Sequence, residues 1–372
     1  MEKAGYQVAG FRSPLHEMTQ TTPTCLWNDS AALDELRYSM EHGAVGATCN
    51  PVIVLDILKQ EMHLWKTRIC QLIRERPVAT ERKIAWALVE EISATRAGLL
   101  RDIFDEQRGR NGRLSIQTDP ILYRDTEALI AQATRFSRLA PNMIVKIPVT
   151  TAGVRAFEEV TYRGISVNAT VCFSLPQCVA VAEAVERGLR RREREGLDIE
   201  RMSPVCTIMV GRLDDWLKVQ ADKLNITIDP GFPEWAGVAV FKKTCRLYKT
   251  RGYRLRLLSA AFRNHMHWSE LIGGDVVISP LHKWQKRFNA SSVRVENRID
   301  TPVESKIVTE LSEKFPDFRR AYSEDGLAPD DFDTFGPVAR TLRQFIEACH
   351  ELEGQIREMM IPNPDMFGAG PG

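Results

Sequence analysis

Short apolar runs recur along the chain, and between most of them lie longer stretches in which apolar positions return every three or four residues. The first pattern predicts buried strands and the second amphipathic helices. The strand-like runs are 24–29 (TCLWND), 45–50 (VGATCN), 114–118 (LSIQT), 143–149 (MIVKIPV), 165–173 (ISVNATVCF), 205–210 (VCTIMV), 254–262 (RLRLLSAAF) and 275–279 (DVVIS). Helical patterns occupy 31–42, 125–137, 151–163, 175–195 and 213–224, with two more helices within 51–108. Alternating strands and helices predict a parallel sheet with crossover helices, and eight such units predict an α/β fold of the (β/α)8 TIM-barrel type.

The chain also departs from a minimal barrel. About sixty residues separate the second and third strands, room for a helical pair. A further helix is expected over 235–250, before the seventh strand, and two more over 305–315 and 337–358 at the C-terminus. Residues 1–360 therefore read as one barrel domain with helical additions. The Pro/Gly-rich segment 361–372 (IPNPDMFGAGPG) reads as a disordered tail.

Composition narrows the function classes. The 372 residues carry 50 Lys+Arg against 49 Asp+Glu, a balance that argues against nucleic acid or an anionic membrane as partner. The one basic run, 187–194 (RGLRRRER), ends an apolar helical pattern and reads as a solvated helix end. No secretory leader and no apolar run of about 18 residues is visible. The eight cysteines form no CxxC pair, and several sit in apolar runs. Buried free thiols and a cytoplasmic location are the expectation.

Side chains on a strand alternate between faces, so parity sorts the polar residues. Lys146 shares a face with Ile144 and Pro148, Thr48 with Asn50, Ser115 with Gln117, and Asn168 with Thr170. Asp29 ends the first strand and Arg263 follows the seventh. All lie toward the carboxyl ends of expected strands, the rim on which barrel active sites are built. An ammonium within an apolar strand is costly unless paired or neutralised. Desolvation lowers its pKa and frees the lone pair, making Lys146 a candidate Schiff-base former; a structural Lys146–Asp29 ion pair is the alternative. His265 and His267 (HMH) lack a third ligand at recognisable spacing, so no metal site is assigned. No GxGxxG or P-loop run is present.

The stretch 142–177 (NMIVKIPVTTAGVRAFEEVTYRGISVNATVCFSLPQ) resembles the core motif of the transaldolase family, whose Schiff-base lysine lies in an IKIP-type strand followed by T-x-x-G and N-x-T-x-x-FS. GATCNP (46–51), SIQTDP (115–120), VGRLDDW (210–216), AFRN (261–264) and VVISP (276–280) extend the likeness over roughly residues 24–348. The resemblance implies a lysine on the fourth strand of a (β/α)8 barrel. It further implies a transferase that moves a dihydroxyacetone unit between ketose and aldose phosphates, without cofactor, in a pentose phosphate type of pathway. In that reading Lys146 forms the imine and Asp29 is the general acid/base. Gln117 and Thr170 hold the catalytic water. Thr48, Asn50, Asn168 and Thr207 contact the substrate, and Arg212 and Arg263 clamp its phosphate.

Three positions depart from the family's transferases. Gln117 stands where a glutamate is usual, Met209 where phenylalanine is frequent, and Ala261 where a serine would help to bind phosphate. Glutamine is a feature of the fructose-6-phosphate aldolase branch, which releases free dihydroxyacetone. A lyase of that type, or a non-catalytic sugar-phosphate-binding barrel, is therefore the alternative to the transferase. The helical segment after Pro280 could close the barrel or form a homodimer interface, and the sequence leaves both open.

Overall fold

The computed structural model describes residues 10–366. Eight strands run in chain order around the sheet: β1 (Cys25–Asn28), β2 (Ala44–Cys49), β3 (Arg113–Gln117), β4 (Met143–Pro148), β5 (Val167–Cys172), β6 (Val205–Ile208), β7 (Arg256–Ala260) and β8 (Val277–Ser279). Every pairing is parallel, and β1 pairs with β8 as well as β2, so the sheet closes into the expected (β/α)8 barrel.

The differences from expectation have local causes. The seventh strand ends at Ala260 instead of residue 262 because Ala261 takes φ +64°, a left-handed turn that strand geometry cannot continue. The long connection after β2 holds three helices where two were expected: Pro51–Glu75, Glu81–Leu99 and Arg101–Glu106. Helix Pro14–Thr21 was not anticipated, and His282–Asn289 and Pro316–Tyr322 fall in the helical segment after Pro280 without having been delimited there. Of the tail expected to be disordered, Pro364–Met366 form a single 3-10 turn and residues 367–372 lie outside the described residues. Among the described residues no helix is long and apolar enough to cross a membrane.

The barrel interior is layered. Trp27, Ile144, Val205, Leu258, Ala260 and Val277 form a separate buried apolar cluster inside it. A Cβ on Gly46 would lie 2.4 Å from the Trp27 ring, so glycine there is what admits the indole. Ile144 and Lys146 share a strand face, so the next inward position along β4 toward the carboxyl rim is the lysine. Register then aligns Gln117 on β3 with Lys146 on β4, and Lys146 with Asn168 on β5. Three polar side chains thus form one row directly above an apolar floor.

Helix Gly336–Met360 packs against Pro51–Glu75 and Glu81–Leu99. Lys59–Glu351 (2.9 Å) and Arg357–Glu81 (3.0 Å) join it to those helices, and Arg82 pairs with both Glu353 and Asp119. The segment that sequence left open between two roles therefore packs on this chain's own barrel.

Candidate active site

Lys146 is 3% exposed. Burial lowers its amine's pKa below the usual lysine value, with the charge of Asp29 opposing the shift and that of Arg212 reinforcing it. No carboxylate lies within ion-pair distance of its Nζ among the described residues, so the structural Lys146–Asp29 ion pair is not formed. The amine is held dry and without a neutralising partner, the state in which its lone pair is most available.

Its neighbours are positioned by short hydrogen bonds. Thr48 donates its hydroxyl to Asp29 Oδ1 at 2.7 Å, fixing the carboxylate at the end of β1. Asn168 donates to Ser115 Oγ (3.0 Å) and accepts from the Thr207 hydroxyl (2.7 Å), which sets the amide's orientation across β3, β5 and β6. Asn50 caps helix Pro51–Glu75: its Oδ1 accepts from Ile53 N at 2.9 Å, and its amide nitrogen is left for other partners. Gln117 Oε1, Thr170 Oγ1 and Ser279 Oγ are buried without a hydrogen-bond partner. Buried polar atoms normally find partners, so unmatched ones on three strands mark a place where a ligand or water completes the set.

The two arginines follow adjacent strands, Arg212 at a helix start and Arg263 on a loop. Arg212 occupies the first turn of helix Val210–Leu224, whose N-terminus lacks a side-chain cap. Burial and the nearby charge of Arg263 push Arg212 down to about 10. Its guanidinium bonds Gln344 and Thr341 and lies over Phe345, so the C-terminal helix positions it. Arg263 pairs with Asp215 at 2.8 Å. Two guanidiniums and a bare helix N-terminus suit an anionic group.

Beneath them lies a device that sequence reasoning missed. His267 Nδ1 accepts from Arg263 N (3.0 Å), and its Nε2 meets Asp214 Oδ2 at 2.7 Å, with both side chains fully buried. Asp214 Oδ1 also accepts from Gly237 N at 2.9 Å. The chain Asp214–His267–Arg263 thereby holds the left-handed turn at Ala261. Gly211 permits the contact, since a Cβ there would lie 2.2 Å from Ala261 O. The histidine of the HMH motif is thus a structural partner of an aspartate 53 residues away. The D-D-W and H-x-H signals were visible, but only the fold brings them together. Asp214→Ala strands the His267 and Gly237 donors, so a loss of about 2–4 kcal/mol is expected in urea unfolding. KM for a phosphorylated substrate should rise as the Arg263 loop relaxes.

Asp29, Thr48, Asn50, Gln117, Lys146 and Thr170 lie toward the carboxyl end of the barrel, with Arg212 and Arg263 on the segments that follow β6 and β7. Ser279, Gln177 and Asp214 join them. A cleft of about 210 Å³ opens beside Asp29, lined also by Glu35, Asp56, Gln60 and His282. A larger cavity, about 560 Å³, lies at the opposite end of the barrel against Arg110, Arg254, Arg256 and Asp275, and includes none of these residues.

Fold and site together define a (β/α)8-barrel protein with a buried lysine, a hydrogen-bonded carboxylate and two neighbouring arginines. Residues 26–356 match the model of the Transaldolase/Fructose-6-phosphate aldolase family, and the chain belongs to that family. It is 34% identical over 197 residues to a transaldolase of Thiobacillus denitrificans, covering 51% of this chain and 54% of that protein. Transaldolase 1 of Streptomyces avermitilis is 39% identical over 141 residues, 37% of each chain. A transaldolase of Thermobifida fusca is 30% identical over 220 residues, 57% of this chain and 59% of its own. In these alignments the chain spans about half the length of the curated relatives it matches.

Proposed function

We propose that the protein is a transaldolase-type transferase that moves a dihydroxyacetone unit from a ketose phosphate to an aldose phosphate through an imine on Lys146. The observation that carries this reading is the dry, unpaired amine of Lys146 in one row with Gln117 and Asn168. Its lone pair attacks the ketose C2 carbonyl, and loss of water leaves a protonated imine. Asp29 takes the C4-hydroxyl proton, the C3–C4 bond breaks, and its electron pair moves into the imine to give an enamine. The acceptor aldehyde is then attacked by that enamine, and Asp29 returns the proton to the new alkoxide. Water hydrolyses the imine and frees the lysine. Asn168 and Asn50 bind the sugar hydroxyls, Thr170 and Gln117 hold the water, and Arg212 and Arg263 hold the phosphate. Sugar interconversion of the pentose phosphate type, in the cytoplasm, is the setting this chemistry suits. Borohydride reduction with fructose 6-phosphate, read by intact mass and peptide mapping, tests it. An adduct on Lys146 is expected, and binding without an adduct would instead indicate a non-catalytic sugar-phosphate barrel.

Gln117 favours a second reading, a lyase that releases free dihydroxyacetone. An amide orients water through hydrogen bonds but cannot take its proton as a carboxylate does. The two readings separate in a coupled assay of dihydroxyacetone release with and without an aldose-phosphate acceptor. Gln117→Glu is expected to raise transfer relative to release by about tenfold, a barrier change of about 1.4 kcal/mol. An unchanged ratio would remove Gln117 as the determinant.

A further inference from the structure

Cys172, Cys178 and Cys206 come from three separate elements: the end of β5, helix Leu175–Arg194 and β6. Their sulfurs nevertheless converge, at 3.4 Å (172–178), 3.9 Å (172–206) and 4.0 Å (178–206), and all three residues are fully buried. A sulfur triangle of these sides has its centre about 2.2 Å from each atom. Zinc–thiolate bonds are about 2.3 Å long, so the sulfurs already stand at the spacing of a three-thiolate metal site.

The local backbone explains how the trio assembles. Cys206 faces outward from the barrel, opposite in parity to Thr207, which points inward to Asn168. By strict alternation Cys172 would follow Asn168 and Thr170 into the interior. Instead Val171 adopts φ +54°, rare for a β-branched residue, and the β5–β6 register shifts between Ala169 and Cys172. The kink turns Cys172 out of the barrel toward the helix. Gln177 pins it by donating to Val171 O (3.1 Å) and Val149 O (3.0 Å) while accepting from Phe173 N (3.0 Å). The residue after this fully bonded glutamine is Cys178.

We propose that Cys172, Cys178 and Cys206 form a binding site for a soft, thiophilic metal cation of the zinc, cadmium or copper(I) type. The site is separate from the lysine chemistry, since the sulfurs lie in the layer between barrel and helices. Soft thiolate ligands select such cations over hard ones such as magnesium or calcium. On binding, any S–H proton leaves as its sulfur–metal bond forms, and the cation's charge stabilises the thiolates. No electron transfer is involved.

Cadmium(II) is the probe, added to the reduced full-length protein under anaerobic conditions. The partly exposed Cys25, Cys70 and Cys245 could bind it adventitiously, so a variant with those three changed to serine is titrated in parallel. One cadmium per chain is expected in both proteins, with a sulfur-to-cadmium charge-transfer band in the near ultraviolet and a raised melting temperature. Cys206→Ala and, independently, Cys178→Ala should each weaken binding at least tenfold while circular dichroism shows the fold retained. If one variant fails to fold, the other carries the comparison. Absence of the band in the triple-serine protein, or its persistence in a folded Cys206→Ala or Cys178→Ala variant, overturns the proposal. Neither result bears on adduct formation at Lys146.

Discussion

Lys146→Met is expected to abolish borohydride-trapped adduct and lower turnover by about 10³-fold or more, because no other amine occupies the row between Gln117 and Asn168. The same substitution should stabilise the fold. A buried ammonium with no ionic partner is a burden that function requires, and replacing it with an apolar chain of similar length should add about 1–2 kcal/mol, roughly 2–4 °C of melting temperature per kcal/mol. The pH dependence fixes the sign. The folded-state pKa of Lys146 lies below that of a free lysine, so the folded protein binds fewer protons than the unfolded chain between those two values. The parent's stability therefore rises with pH across that window. The advantage of Lys146→Met is largest below it and shrinks toward pH 10.5, the reference lysine value. Adduct formation in the parent should weaken as pH falls through the lowered value, because only the neutral amine attacks. Calorimetry at several pH values, paired with trapping, checks both halves. A variant that kept the adduct, or lost stability at neutral pH, would show that Lys146 is a structural cation.

The barrel was legible because its signals are local. Each buried parallel strand reads as an apolar run bounded by helical periodicity, and eight runs were enough to define closure. Parity was equally informative. Alternation grouped Lys146, Gln117, Asn168 and Thr48 with their same-face neighbours, and the fold turns those faces inward. What sequence concealed depends on contacts between distant segments or on backbone exceptions to alternation. The end of β7 at Ala261 and the kink within β5 at Val171 are set by left-handed residues that are neither glycine nor asparagine, and composition does not announce them. The same exception at Val171 reverses the direction expected for Cys172, so three cysteines scattered through the sequence meet in space. His267 shows the complementary case. Its spacing from His265 drew attention, yet its partner Asp214 lies on the helix after β6, and Gly211 is needed for that helix and the loop after β7 to approach.

Asp29→Asn is the more discriminating test of the chemistry, because it separates imine formation from carbon–carbon cleavage. The amide is nearly isosteric with the carboxylate, and its carbonyl can still accept from the Thr48 hydroxyl that now lies 2.7 Å from Oδ1. The rim should therefore keep its shape and the folding stability should change little. Asparagine cannot take the C4-hydroxyl proton, so kcat is expected to fall by about 10²–10⁴-fold, the usual contribution of a positioned acid/base group. Lys146 keeps its amine, so borohydride should still trap the ketose, now at higher occupancy because the imine forms but cannot break its C3–C4 bond. Thr48→Val keeps the carboxylate and loses only its hydrogen-bonded anchor, and should cost far less in kcat. If Asp29→Asn instead retained turnover within a few-fold, the proton would have to travel by another route. With Gln117 unable to serve as a carboxylate base, Glu35 and Asp56, which line the cleft beside Asp29, would be the groups to substitute next.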